Sequence, residues 1–394
     1  MHIDLKNEKM KKIENRIILE IKKLLKNKPK GHHDPIFMGN EKKYLNRCIS
    51  SGYVSYVGEY VKVFEKKISS YTKTKYGVAT SSGTSALHLA LRYFNLSRKD
   101  EVIIPSLTYV ATANAVTYCG STPNFVDIER ESLGICPTKL ENYLKKNSKK
   151  IGSYTYNKKT KKKIKALIAV HLYGFPCKII EIKKICKKYN ILLIEDAAEA
   201  LGSFFKKKHL GTFGEAGILS FNGNKPITCG SGGAVITNNK KMSAKLKHLS
   251  THAKKQDLLD HIHDDIGYNY RMNNLSAALG CAQLENINKI LRAKRKNFQW
   301  YFDTFKNFNH IKILREPKFS KTNYWLITAV LKNYKLKNRL LKKLKPQGYG
   351  LRTTWRPLHT LKIFKNCPRD TMSNSNEFFK KTINLPSSPI LNYK

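Results

Sequence analysis

Acidic residues are scarce in this chain: 28 Asp and Glu stand against 74 Lys and Arg in 394 residues, a formal net charge of +46. That imbalance invites a nucleic-acid or anionic-surface reading. The lysines, however, are spread along the whole chain and come with many Asn and Ile, whereas a nucleic-acid footprint clusters on one element and uses Arg and aromatics. The even spread reads as a compositional drift of exposed positions, and no nucleic-acid partner is expected. Paired cysteines are also lacking. The eight cysteines stand at 48, 119, 136, 177, 186, 229, 281 and 367, with no C-x-x-C pair, which excludes a zinc knuckle or a dithiol redox motif. No apolar run approaches the roughly 18 residues of a membrane helix. With no signal-peptide pattern at the N-terminus, the thiols are expected to be reduced and the protein cytoplasmic. The phosphate-binding P-loop pattern is absent, as is any internal repeat.

What is present is alternation. Residues 1–33 carry Ile13, Ile17, Ile18, Ile21, Leu24 and Leu25 at near-helical spacing, ended by "NKPKGHH", and read as a basic N-terminal helix and arm. From Asp34, strand-like runs alternate with helical ones: "YGVATSS", "GTSALHLALRYF", "DEVIIPS", "YVATANAVTYCG", "TPNFVDI", "ALIAVHLYG", "KIIEIKKICKKYN", "ILLIEDAA", "GILSF" and "GGAVIT". Such alternation predicts βαβ units and an α/β fold with a mostly parallel, doubly covered sheet. The texture changes near residue 285, after which a long helix, "INKILRAKRKNFQWYFDTF", leads into short mixed elements. The expected division is an arm at 1–33, a large domain at 34–284 and a smaller α+β domain at 285–394.

Three features fall at the carboxyl ends of predicted strands, where open α/β sheets bind ligands. "SSGTSAL" (81–87) leads small hydroxyl residues into a helix, where free N–H groups meet an anion such as phosphate; plain N-capping by Ser82 or Thr84 is the alternative. In "LLIEDAAEALGS" (192–203), Asp196 closes an apolar strand, where an unpaired carboxylate is costly and calls for a cationic partner or a turn to cap. Third, residues 217–239, "GILSFNGNKPITCGSGGAVITNN", hold a single charge, Lys225. A lone lysine in a Gly-rich turn between buried strands is not a solvated surface cation. Burial lowers the pKa of an amine, which is what a nucleophile requires. Ser220, at the preceding strand end, can offer its hydroxyl to the same phosphate. Phosphate cradle, Asp and Lys are the parts that pyridoxal phosphate (PLP) needs.

The motifs "SSGTSALHLAL", "IPSLTYVATANAV", "HLYGFP", "EDAAEALGS", "GTFGEAGILSFNGNK", "GSGGAVIT" and "GYNYRMNNLSAALGCAQL" run in order along nearly the whole chain. In them the sequence resembles the DegT/DnrJ/EryC1/StrS sugar aminotransferases, PLP enzymes of fold type I. The resemblance implies a seven-stranded, mostly parallel sheet in the large domain and a ping-pong transaminase. It implies Lys225 as the lysine bound covalently to the cofactor, Asp196 on the pyridine nitrogen, Tyr109 stacked on the ring, and Gly83, Thr84 and Ser220 on the phosphate. Glu199 sits where the family often has Gln or His near the phenolic oxygen. Asn269 is expected to reach the phosphate of a second subunit, implying a homodimer with shared active sites. Arg352, Arg356 and His359 of "LRTTWRPLH" are candidates for an anionic donor, expected to be L-glutamate, or for the sugar diphosphate. The stretches "HDPIFMGNEKKYLNRCISSGYVSYVGEYV", "HIHDDIGYNYRMNN" and "INLPSS" are most similar to the branch acting on UDP-linked 2-acetamido-4-keto-6-deoxy sugars. A GDP- or dTDP-linked keto sugar is the alternative, and a non-enzymatic nucleic-acid binder on the same fold a remote one. Dehydratases of this fold replace the lysine with His, so Lys225 argues against that activity. His248, His252, His261 and His263 lack a helix-borne Glu to complete a metal site, so hydrogen bonding is expected of them and no metal.

Overall fold

The computed structural model describes residues 2–26, 31–255, 257 and 259–392. The expected helix stop in "NKPKGHH" lies partly outside them, at residues 27–30. The chain begins with α1 (His2–Leu24), α2 (Glu41–Ser51) and α3 (Glu59–Thr72). Alternation follows as β1 (Tyr76–Thr80), α4 (Gly83–Tyr93), β2 (Asp100–Pro105), α5 (Ala111–Tyr118), β3 (Thr122–Val126) and α6 (Pro137–Asn147). A hairpin of β4 (Ser148–Ile151) and β5 (Tyr154–Asn157) precedes β6 (Lys163–Val170), α7 (Ile179–Lys188) and β7 (Leu192–Asp196). Two short strands, β8 (Phe204–Phe205) and β9 (Lys208–His209), come before β10 (Ala216–Ser220), β11 (Gly233–Thr237), α8 (Lys240–Leu249) and α9 (Asn274–Glu285).

The main sheet runs β1-β11-β10-β7-β6-β2-β3, the seven expected strands, and the β4–β5 hairpin on β6 extends it to nine. β10, β7, β6, β2 and β3 pair in parallel, and β11 is antiparallel to both its neighbours. The apolar runs "LLIED" and "GAVIT" are buried because helices cover both faces. One face packs Leu87, Leu91, Val116 and Leu246 from α4, α5 and α8; the other packs Phe64, Ile68, Leu140, Ile182 and Cys281 from α3, α6, α7 and α9. The registers bring Asp196 beside Val170 and Ile218, so the carboxyl ends of β6, β7 and β10 line up. The Asn-rich composition supplies helix caps: Asn239 and Asn273 accept from the third N–H of α8 and α9 at 3.0 and 2.8 Å.

After α10 (Ile287–Phe305) come β12 (Ile311–Ile313), β13 (Ser320–Lys321), which joins β8 and β9, and β14 (Ile327–Leu331). Then follow α11 (Tyr334–Leu344), β15 (Arg352–Thr353), α12 (Ser373–Lys381) and β16 (Thr382–Leu385). The second sheet is antiparallel, in the order β12-β14-β16-β15. The N-terminal helix packs against the second part of the chain. Ile17 and Ile21 are wholly buried in the same core as Leu336, Leu340 and Leu344 of α11, and the buried Glu14 pairs with Lys343 at 2.9 Å. The chain then crosses the second sheet: the His32 carbonyl accepts from Ser387 N at 3.0 Å, and Asp34 N donates to Ser388 Oγ at 2.8 Å. Among the described residues no helix is long and apolar enough to cross a membrane.

Candidate active site

The strand ends open into a cavity of about 380 Å³ whose walls include Ser82, Gly83, Thr84, Tyr109, Asp196, Glu199, Ser220 and Lys225. α4 starts at its edge. Ser82 Oγ accepts from Ser85 N at 3.0 Å, the capping foreseen, which leaves the first-turn N–H groups of Gly83 and Thr84 at the cavity. Residue 83 must be glycine for space, because a Cβ there would come within 2.9 Å of Ser220 Cβ. Gly233, opposite Ser220 and Thr80 in the sheet, faces the same crowding, with a Cβ 2.4 Å from the Ser82 carbonyl. Small residues thus let the helix end, β10 and β11 close on one point, a cradle suited to phosphate.

Alternation along β7 separates two carboxylates. Glu195 is fully enclosed, 2.9 Å from His171 Nε2, and also accepts from Gly211 N and Gly214 N at 2.9 and 2.7 Å. Burial works against the His171 cation, but Cys177 and Glu195 push its pKa up to about 10. Asp196 faces the cavity instead. Its Oδ2 accepts from Thr112 Oγ1 at 2.8 Å and its Oδ1 from Ala198 N at 3.2 Å. It therefore caps the turn while lining the cavity.

Lys225 lies on the loop between β10 and β11, with 11% of its side chain exposed. Its Nζ is 3.6 Å from Glu199 Oε1 and 3.9 Å from the centre of the Trp325 ring. Burial lowers the pKa of the amine, against the pull of Glu199 and Asp196. Burial likewise raises Glu199 to about 7, opposed by Lys225 and by the Tyr173 N–H, which donates to Oε2 at 2.7 Å. The donor set fits PLP: an amine below its usual pKa, a carboxylate, a helix N-terminus and a hydroxyl converge on one space.

Tyr109 lines the cavity and remains 52% exposed, its ring centre 5.7 Å from that of Trp355. Arg352 lines the cavity, but two neighbours expected with it do not. Arg356 lies 5.7 Å from the Phe379 ring, and His359 Nδ1 is 2.6 Å from Ser106 Oγ. Leu358 N bonds the Ser106 carbonyl at 2.8 Å, turning the chain after Trp355 into a short 3-10 helix on the end of β2. Asn269 is exposed and stands outside the cavity walls. His248 pairs with Asp264 at 2.6 Å, and His263 Nδ1 is 2.8 Å from the His252 carbonyl, so of the four histidines these two rings hydrogen-bond as expected. Sequence reasoning missed Trp325, Trp355 and His32, all in the cavity wall. Two of the chain's three tryptophans stand here, and that scarcity was the available signal.

This fold and cavity define a PLP-dependent transaminase of fold type I. Residues 36–394 match the model of the DegT/DnrJ/EryC1/StrS aminotransferase family, and the chain belongs to that family. It is 37% identical to a GDP-perosamine synthase of Vibrio cholerae over 91% of this chain and 93% of the relative. It is 32% identical to a UDP-4-amino-4,6-dideoxy-N-acetyl-beta-L-altrosamine transaminase of Campylobacter jejuni, over 86% and 87% of the two chains. Among solved structures it is similar to Helicobacter pylori PseC, an aminotransferase involved in the biosynthesis of pseudoaminic acid. There the TM-score is 0.82 and the identity 26%, over 91% of this chain and 94% of that one.

Proposed function

We propose that this transaminase moves an amino group from L-glutamate to C4 of a nucleotide-linked 4-keto-6-deoxy sugar. The observation that carries the reading is the convergence of Lys225, Asp196 and the first turn of α4 on one cavity. Lys225 would anchor PLP covalently, Asp196 would hold its ring nitrogen, Tyr109 its ring face, and Gly83, Thr84 and Ser220 its phosphate. Bound there, PLP supplies an electron sink for the pair released when a C–H bond breaks beside nitrogen. Freed when the donor's amine takes its place on the cofactor, Lys225 would take the proton from the donor's Cα in one half-reaction and deliver a proton to sugar C4 in the other, as base and then acid. Glu199, held by the Tyr173 N–H, accepts the proton that Lys225 must shed to act as a base. Arg352 serves the anionic end of donor or diphosphate.

A homodimer with shared sites is part of the proposal. Asn269 is exposed, and Asn274 on the same stretch donates to the Val54 carbonyl at 3.0 Å, tying it to a turn that exposes Tyr53, Val54, Tyr56 and Val57. A second copy covering this apolar turn would receive Asn269.

Two nucleotides have support. The motifs of the sequence favour a UDP-linked 2-acetamido sugar, and the C. jejuni relative is named for a UDP-linked product. The higher identity to GDP-perosamine synthases favours GDP. The test is a coupled assay of the PLP-loaded protein with glutamate and a panel of UDP-, GDP- and dTDP-linked 4-keto-6-deoxy sugars. Turnover on the UDP-HexNAc sugar supports the first reading, and turnover confined to GDP or dTDP sugars replaces it. No amino transfer to any of them rejects a sugar acceptor.

A further inference from the structure

We propose that His32, at the end of the N-terminal segment, reads the sugar: its ring Nε2 accepts a hydrogen bond from a hydroxyl or amide N–H of the bound hexose. This rests on the sugar-aminotransferase reading above and adds a specificity residue from the N-terminal arm.

His32 lines the cavity with Arg352, Thr353 and Trp355 and is 8% exposed. Its Nδ1 lies 2.9 Å from the Gly350 carbonyl oxygen. A carbonyl oxygen can only accept, so Nδ1 carries the ring hydrogen and Nε2 of the neutral ring is a lone pair. Burial lowers the pKa to about 4; the Gly350 bond opposes this, and the charges of Arg352 and Lys294 reinforce it. The ring therefore stays neutral, and Nε2 stays an acceptor, through the neutral pH range.

The mount is rigid. The His32 carbonyl accepts from Ser387 N and Asp34 N donates to Ser388 Oγ, both partners lying just beyond β16. The opposing chain passes so close that a Cβ on Gly350 would come within 2.3 Å of His32 N. The two carboxylates of the cavity are engaged within the protein, Asp196 by Thr112 and Ala198 and Glu199 by Lys225 and Tyr173. A hexose is rich in donors, and a buried donor without an acceptor is costly, so a fixed neutral acceptor discriminates between sugars.

The test compares His32→Phe and His32→Gln in PLP-loaded protein. Calorimetry measures binding of UDP-N-acetylglucosamine and GDP-mannose against bare UDP and GDP as probes. Expected is a roughly tenfold loss of affinity for whichever sugar nucleotide binds the unsubstituted protein more tightly in H32F, with bare nucleotides within about twofold. H32Q, which retains an acceptor, restores most of the loss. Equal weakening of nucleotide and sugar nucleotide, or no change in either, overturns the proposal. Absorbance of the cofactor on adding glutamate alone to the unsubstituted protein separates the two ideas: its failure strikes the transaminase reading, whereas an intact response with unaltered sugar affinity in H32F strikes only His32.

Discussion

Lys225 and Glu199 share a buried corner: Nζ and Oε1 are 3.6 Å apart, with 11% and 7% of the side chains exposed. Burial disfavours both charges, lowering the amine and raising the carboxyl toward each other. The two shifts narrow the gap between the ion pair and the neutral pair, which suits a lysine that must alternate as acid and base.

Lys225→Ala is expected to lose roughly 10²–10⁴-fold in turnover, the usual loss with a general acid–base group. It should also lose the absorbance of the covalently held cofactor. Normal turnover with that band intact would refute the assignment.

Replacing Glu199 by Gln bears on pH. The folded state raises Glu199 from 4.5 to about 7, so between these values the folded protein holds a proton that the unfolded chain has lost. Stability from this group is full below about 4.5 and is lost as pH rises through 7. In urea unfolding of the apoprotein, the advantage of wild type over E199Q should therefore shrink between pH 4.5 and 7, by roughly 1–3 kcal/mol. A pH-independent difference would contradict the buried-carboxyl account.

Gly83→Ala places a Cβ 2.9 Å from Ser220 Cβ. Crowding of this kind costs about 1–3 kcal/mol, and here it falls on the phosphate cradle. The expected outcome is a folded protein that releases PLP more readily, measured as a raised dissociation constant for the cofactor.

Ile21→Ala on α1 removes a wholly buried side chain from the core shared with α11. A loss of about 2–5 kcal/mol is expected in denaturant unfolding. A loss near zero would mean that the helix contributes little to the folded state.

Much of the site was legible because its signals are local. Lys225 stood out against its uncharged neighbours, Asp196 closed an apolar strand, and "SSGTS" opened a helix; each pattern lies within one short, continuous stretch of chain. Arg352 was separable from Arg356 and His359 only through the Leu358–Ser106 bond, which joins the segment to the end of β2, 252 positions earlier in the chain. Trp325 is likewise placed by its bond to the Asn224 carbonyl, across 101 residues.

By itself, then, the sequence determined the alternating α/β plan and which amine, carboxylate and helix end would stand at the strand termini. Periodicity and burial act over a few residues, and strand order carries those ends to one edge. Only the tertiary structure decided which side chains complete the cavity. It seated the basic N-terminal helix in a core and brought His32 to Gly350, 318 residues away, by packing that no local pattern encodes.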